Sequence, residues 1–438
     1  MRLTQICSAI AIASLVQACG SSSDSSSTST DSDGNYTFTL NAVLTNDCGV
    51  EAPFTDVELL LQDADWTYQQ TYSPDADGVI TFTTSEKNIN FTLVAKTQSG
   101  DSEEGLDIVS YYQASSSTET TYQATYDNLV SNDTCECITQ DASLRHRAFA
   151  NIDEAWTSLP FEGWESVSDT ETLFTDVTAC RVIDGDWPVA SLMVKGTDDD
   201  EEKIGSADFI SDFTTDGTGE WAVSAVEVAD EISLSKKHPD IVISQEFEEG
   251  EHFQSAISED DDTALLFTSH MYINEAYYKG VAENTLSTSS NLYGSWSVTS
   301  GHQVISTDYD DALDAEASDD MPSIDTVSFS ELDDDGTYDY SGVKNYPMAI
   351  IRFTYGYTSV PVTWTMYGPE EGILPNSVAL EGYDDIVDSD SYITDTQVTL
   401  LKSDNTNNYD DYIEYYQSLE SDDFATDLHQ YDITITLQ

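Results

Sequence analysis

Alternation of apolar and polar residues is the dominant pattern along this chain. Tyr36-Thr37-Phe38-Thr39-Leu40, Val79-Ile80-Thr81-Phe82-Thr83 and Asn90-Phe91-Thr92-Leu93-Val94 place apolar side chains at every second position. That is the period of a strand with one buried face. Turn-forming residues fall between these runs, notably Pro74-Asp75-Ala76-Asp77-Gly78. The spacing predicts a small β-sandwich over 35–138. The alternation returns at Ile351-Arg352-Phe353-Thr354-Tyr355, at Val362-Thr363-Trp364-Thr365-Met366 and at Ile433-Thr434-Ile435-Thr436-Leu437. A large β-rich body is therefore expected over 139–438. No self-similarity of forty-odd residues marks it as a propeller. If this region divides, the Asp-rich stretch Thr307–Asp320 is the boundary.

Two segments break the pattern. Leu144, Ala148, Ile152, Ala155, Trp156 and Leu159 recur at helical spacing, which predicts an amphipathic helix over 141–159 ended by Pro160. Tyr409, Tyr412, Ile413 and Tyr416 share a helical face behind the Asn-rich start at Asn405–Asn408. The fold class expected is thus mostly β, with one or two short helices.

The stretch Val57–Lys96, with Tyr72-Ser73-Pro74-Asp75-Ala76-Asp77-Gly78-Val79-Ile80-Thr81-Phe82 at its centre, resembles the carboxypeptidase regulatory-like modules. In that family a strand leads into an acidic Gly turn and then an aromatic-containing strand. The resemblance implies an immunoglobulin-like sandwich and a non-catalytic accessory role, and it implies no particular ligand.

The N-terminus carries a different signal. Arg2 precedes an apolar run from Ile6 to Val16, too short to span a bilayer as a helix and of the length of a signal-peptide core. The segment Val16-Gln17-Ala18-Cys19 resembles the lipobox of bacterial lipoproteins. The resemblance implies that 1–18 is a signal peptide and that Cys19 becomes the lipidated N-terminus. An ordinary secretory signal cleaved after Ala18 is the alternative. Two or more acyl chains would hold the protein at the membrane almost permanently. Gly20 follows the cysteine, where the family often uses Asp for inner-membrane retention, so the resemblance favours the outer membrane. From Gly20 to Gly34 no apolar residue occurs. With Cys19 this 19–34 stretch reads as a lipidated, Ser/Asp-rich tether with a reach of roughly 20–25 Å.

Charge narrows the partners. With 83 acidic and 14 basic residues the formal net charge is −69, yet 39% of residues are apolar. The acids must coat a folded surface, and that surface repels nucleic acid and anionic headgroups. In about 0.5 M salt the Debye length shrinks to roughly 4–5 Å, muting self-repulsion. The composition therefore predicts a marine or halotolerant Gram-negative setting.

Cys7 lies in the signal and Cys19 at the lipid site, leaving Cys48, Cys135, Cys137 and Cys180. An even number in an exported chain predicts two disulfides. Two pairings join Cys48 to either Cys135 or Cys137 and Cys180 to the other. The third, Cys135 to Cys137, is strained.

Signatures of catalysis are sparse. The sequence has no Gly-x-Ser-x-Gly elbow, His-Glu-x-x-His helix or phosphate loop, and no two of its six histidines have metal-ligand spacing. Carboxylates are too abundant for any acid/base pair to stand out. Calcium candidates are Asp75 and Asp77 with Gly78, and Asp333, Asp334 and Asp335 with Gly336; Asp260–Asp262 form a third run. Six tryptophans between Trp156 and Trp364 offer core or sugar-stacking surface. The function expected is binding, adhesion or scaffolding of a protein or glycan at the outer membrane, facing outward or into the periplasm. The alternatives are a surface hydrolase using a carboxylate pair and a periplasmic envelope-assembly factor.

Overall fold

Threonine, tyrosine and β-branched residues at alternate positions give strands nearly everywhere, and turns rich in Asp, Gly and Ser separate them. A computed structural model describes residues 35–437 except 100–102, 118, 125–132, 211–212, 214–220, 226, 234–240, 248–249, 258–262, 268–276, 293, 323–335, 376–379, 384–385, 388–389, 404–407 and 419–426. The expected signal and tether segments, including Cys19, lie outside the described residues.

The N-terminal part comprises β1 (Tyr36–Thr45), β2 (Glu51–Pro53), β3 (Val57–Gln62), β4 (Tyr68–Tyr72), β5 (Val79–Thr84), β6 (Asn88–Ser99), β7 (Glu103–Ser115) and β8 (Glu119–Gln123). One sheet joins β2, β1, β5 and β8, and a second runs β7-β6-β3-β4. The inward faces of the two enclose Phe38, Leu40, Phe54, Leu59, Phe82, Phe91 and Leu93. This is the expected immunoglobulin-like sandwich. The alternating positions read from the sequence are the ones buried: Phe38 and Leu40 in β1, Ile80 and Phe82 in β5.

A second sandwich follows. Its strands are β9 (Cys135–Arg145), β10 (Asn151–Thr157), β11 (Gly163–Ser168), β12 (Glu171–Val182), β13 (Ala190–Thr197), β14 (Lys203–Ile210), β15 (Trp221–Ser224) and β16 (Glu227–Val228). They form two sheets, β11-β12-β9-β15 and β10-β13-β14-β16, around Leu144, Phe174, Val177, Leu192, Val194 and Phe213. No helix occupies 141–159. Leu144 ends β9 in one sheet, and Ala155 belongs to β10 in the other. The two strands meet the same core from opposite sides across the corner at 146–150. The helical spacing arose from two half-buried strands read as one stripe, while Trp156 packs on a separate cluster with Met193 and Phe267.

The remaining strands are β17 (Asp230–Ser233), β18 (Ile241–Phe247), β19 (Gly250–Ile257), β20 (Thr263–Leu266), β21 (Tyr277–Asn291), β22 (Gly294–Ser306), β23 (Thr337–Asp339), β24 (Met348–Gly356), β25 (Val362–Gly368), β26 (Glu371–Ile373), β27 (Tyr392–Ser403) and β28 (Asp427–Leu437). Eight of these extend the N-terminal sheet into a twelve-stranded sheet, ordered β19-β18-β21-β22-β28-β27-β24-β25-β7-β6-β3-β4. The joint is the parallel pair β25 and β7, in which Val362 lies opposite Leu106 and Trp364 opposite Ile108. A buried polar chain crosses it. Trp364 Nε1–H donates to Ser110 Oγ at 2.8 Å, the Ser110 and Thr92 hydroxyls are 2.7 Å apart, and Thr92 O–H donates to Gln62 Oε1 at 2.8 Å. On the same face Ile351, Phe353, Trp364, Val398 and Leu400 form the largest core cluster.

Two helices cover parts of this sheet. The first, α1 (Tyr309–Ala312), is capped by Asp308, whose carboxylate accepts the Asp310 N–H. It lies within the Thr307–Asp320 stretch, which packs onto the sheet: Ala312 and Leu313 meet Ile243 and Tyr278, and Ser300 Oγ–H donates to the Ser318 carbonyl at 2.6 Å. The second, α2 (Tyr409–Ser418), is the expected one. Asn408 Oδ1 accepts the Asp411 N–H at 3.0 Å while its amide donates to the Asp411 carboxylate, a reciprocal cap. Tyr409, Tyr412 and Ile413 are buried against Met348, Leu401 and Leu428.

Candidate functional site

Cys48 is bonded to Cys135 (Cα–Cα 5.8 Å), and Cys137 to Cys180 (Cα–Cα 4.1 Å). One of the two unstrained pairings is thereby selected. Register explains the second bond, because Cys137 on β9 is directly opposite Cys180 on β12. The first bond ties the turn after β1 to the start of β9, so it crosses from the first sandwich to the second. Glu136 sits between the two cysteines and accepts from Arg181 Nη2 and Nε at 2.6 and 3.0 Å. The Arg181 guanidinium lies 4.3 Å from the Trp187 ring centroid.

The Asp75 turn is held by backbone hydrogen bonds to its first side chain. Asp75 Oδ1 accepts the N–H groups of Asp77 and Val79 at 2.9 and 3.0 Å, and Gly78 adopts φ +77°. Among the described residues the same device occurs three more times. Asp63 accepts from Asp65 and Thr67 with Trp66 at φ +61°, and Asp198 accepts from Asp200 and Glu202 with Glu201 at φ +64°. Asn46 accepts from Cys48 and Val50 with Gly49 at φ +74°. A neutral amide at Asn46 does what the carboxylate does at Asp75, so the acceptor oxygen, not its charge, is what the turn requires. Asp333, Asp334 and Asp335, like Asp260–Asp262, lie outside the described residues.

The basic run 145–147 has structural partners. Arg145 Nε lies 3.5 Å from Glu171 Oε1. His146 is buried, its Nδ1–H donating to the Arg147 carbonyl at 2.8 Å and its Nε2 accepting from Thr172 Oγ1 at 2.9 Å. Burial holds its pKa below the usual 6.5. The tryptophans divide: Trp221 and Trp364 are buried, whereas Trp164 and Trp296 are exposed.

One convergence was invisible in the linear spacing. His302 on β22 is directly opposite His429 on β28. Their rings stack with centroids 3.9 Å apart and planes 13° from parallel. Both Nε2 atoms reach Asp427 Oδ1, at 2.9 and 3.1 Å. Nδ1 of His302 accepts the Glu316 backbone N–H at 2.8 Å, so the neutral ring carries its proton on Nε2 and donates it to Asp427. Burial, His302 and Lys402 lower the His429 pKa, against the opposing pull of Asp427. Both histidines precede glutamine in alternating segments, but only strand register brings positions 127 apart together.

A carboxylate pair also emerges. On β28, Asp432 is raised above the ordinary carboxylate range by burial, despite hydrogen bonds from Thr399, Gln430 and Gln397. On β21, Glu283 is raised by burial and by the charge of Asp432.

No protein-family model matches the chain, and no curated protein matches it. Among solved structures it aligns with two B repeat units of the collagen-binding protein of Staphylococcus aureus, at TM-score 0.13 and 9% identity over 85% of this chain and 98% of that one. It also aligns with a tetra-tandem repeat from the extending region of a large adhesion protein, at TM-score 0.10 and 10% identity over 84% and 96%. Superpositions this poor carry no argument about fold or function.

Proposed function

We propose that this chain is an exported, outer-membrane lipoprotein whose β body binds or scaffolds a protein or glycan without catalysis. The observation that carries the reading is the disulfide pair. Cys48–Cys135 and Cys137–Cys180 belong to an oxidising compartment, and the N-terminal sequence supplies a matching export signal and an acylatable Cys19. Stapling two sandwiches together suits a body that must hold its shape outside the cell's folding and repair machinery. The acidic surface favours neutral or basic ligands over anionic ones.

Protease shaving with an immunoblot for the body tests the compartment. The reading requires digestion while the inner membrane is intact, either in whole cells or after permeabilising the outer membrane. A body protected until the inner membrane is lysed would overturn it. Digestion in whole cells directs the ligand search outward, and digestion only after permeabilisation directs it to the periplasm. A second reading, a surface hydrolase, rests on Glu283 of β21 and Asp432 of β28, two carboxylates raised above their ordinary range, Glu283 in part by the charge of Asp432. It requires glycan or peptide turnover that Glu283→Gln and Asp432→Asn each abolish.

A further inference from the structure

We propose that His302, Asp427 and His429 form a binding site for one borderline divalent cation, with Zn²⁺ as the reference ion. Two imidazole nitrogens and a carboxylate oxygen are the donor set such cations prefer, whereas Mg²⁺ and Ca²⁺ favour oxygen alone. The three groups are already gathered on one face of an antiparallel pair, β22 and β28, in register rows two positions apart. Both Nε2 atoms point at the same oxygen, at 2.9 and 3.1 Å. Ligand atoms around tetrahedral zinc stand about 3.3–3.4 Å apart, given metal–ligand bonds near 2.0–2.1 Å. The two nitrogen–oxygen edges therefore need to open by only a few tenths of an ångström, with the ion replacing the His302 N–H proton now directed at Asp427. Access is adequate, since the side chains of Asp427 and His429 are 46% and 30% exposed. Three protein ligands leave a fourth position for water or a ligand group.

The Glu316 backbone amide sets the condition. A neutral His302 that ligates through Nε2 must carry its proton on Nδ1, which now accepts the Glu316 N–H. Binding must break that bond. The loss of one neutral hydrogen bond weakens binding by on the order of tenfold, less than two nitrogen ligands contribute. Glu316 also offers the remedy: its side chain is exposed, and its carboxylate can turn to accept the Nδ1–H, the arrangement that commonly orients ligating histidines. Cation binding would thus shift the backbone at Glu316, while Ala312, Leu313 and Ala315 stay packed on the sheet.

Calorimetric titration of the folded chain with ZnCl₂ in high salt, with MgCl₂ at matched ionic strength as the control, tests the site. High salt suppresses diffuse binding to the acidic surface. The expected result is one saturable zinc site per chain, absent for magnesium and weakened at least tenfold by His429→Ala and by Asp427→Asn. His429→Gln repeats the test while filling the ring's space, in case the alanine variant fails to fold. In the wild type, ¹⁵N spectra should show the His302 proton move to Nδ1 and the Glu316 amide signal shift. Zinc affinity unchanged by His429→Gln and Asp427→Asn, or no saturable site, would overturn the proposal.

Discussion

Cys48, in the turn after β1, is bonded to Cys135, the first residue of β9 and 87 positions away. Its neighbour bond, Cys137–Cys180, closes 43 positions within one sheet. Restricting the unfolded chain in this way stabilises the fold by about 4 kcal/mol for the shorter loop and slightly more for the longer. Paired Cys→Ser replacement at 137 and 180 should cost about 2–5 kcal/mol. The same replacement at 48 and 135 should additionally loosen the first sandwich from the second. Denaturant melts of each variant, with limited proteolysis of the junction, check this.

The Asp75 turn should be indifferent to calcium. Asp75→Asn should leave stability nearly unchanged, because Asn46 builds the same turn. Asp75→Ala, which removes the acceptor for two backbone N–H groups, should cost about 1 kcal/mol. Gly78→Ala should cost more, about 2 kcal/mol, because it forces a side chain to φ +77° against the Ala42 carbonyl. Melting temperatures with calcium and with chelator at matched ionic strength should coincide for the wild type. A rise with calcium at the wild-type turn that Asp75→Asn removes would contradict the account.

The sandwich was legible because its strands are half-buried. Phe38 and Leu40 alternate with Thr37 and Thr39, and that alternation is a direct imprint of one inward face. The α2 helix was legible for the same reason, since Tyr409, Tyr412 and Ile413 share a 3.6-residue face. Residues 141–159 misled because two strands bordering one core, joined by a five-residue corner, put apolar side chains at irregular intervals that imitate a helix. The parallel joint between β7 and β25 left no local trace, as it pairs Leu106 with Val362 across most of the chain. His302 and His429 were hidden likewise: metal-ligand spacing along a sequence detects ligands on one helix or loop, not on strands paired by register.

The β7–β25 joint should depend on its buried hydroxyls. Ser110→Ala removes the acceptor of the Trp364 indole N–H in a dry core and should cost about 1–3 kcal/mol. Trp364→Phe combined with Ser110→Ala should cost less than the two single changes added together. A double-mutant cycle by chemical denaturation measures that coupling, and strict additivity would argue against the polar chain.

Two buried groups should give pH dependence of opposite sign. His146 has a lowered pKa, so the unfolded chain takes up its proton first and stability is lost as pH falls below about 6.5. His146→Asn should flatten that loss. Asp107 is raised by burial, which outweighs the hydrogen bond from Tyr122 and the charge of Arg352. Its contribution is largest below the ordinary value of 3.8 and declines as pH rises through the raised one. Asp107→Asn should therefore be at least as stable as the wild type at pH 7, with Tyr122 still donating its hydroxyl. Stability profiles from pH 3 to 8 separate the two effects.

Mass spectrometry of the mature N-terminal peptide, purified from membranes of the native host, tests the anchoring claim most directly. The account predicts a chain beginning at Cys19 and carrying a thioether-linked diacylglycerol with an N-acyl group. A mature chain beginning at an unmodified Cys19, or one retaining residues 1–18, would contradict it.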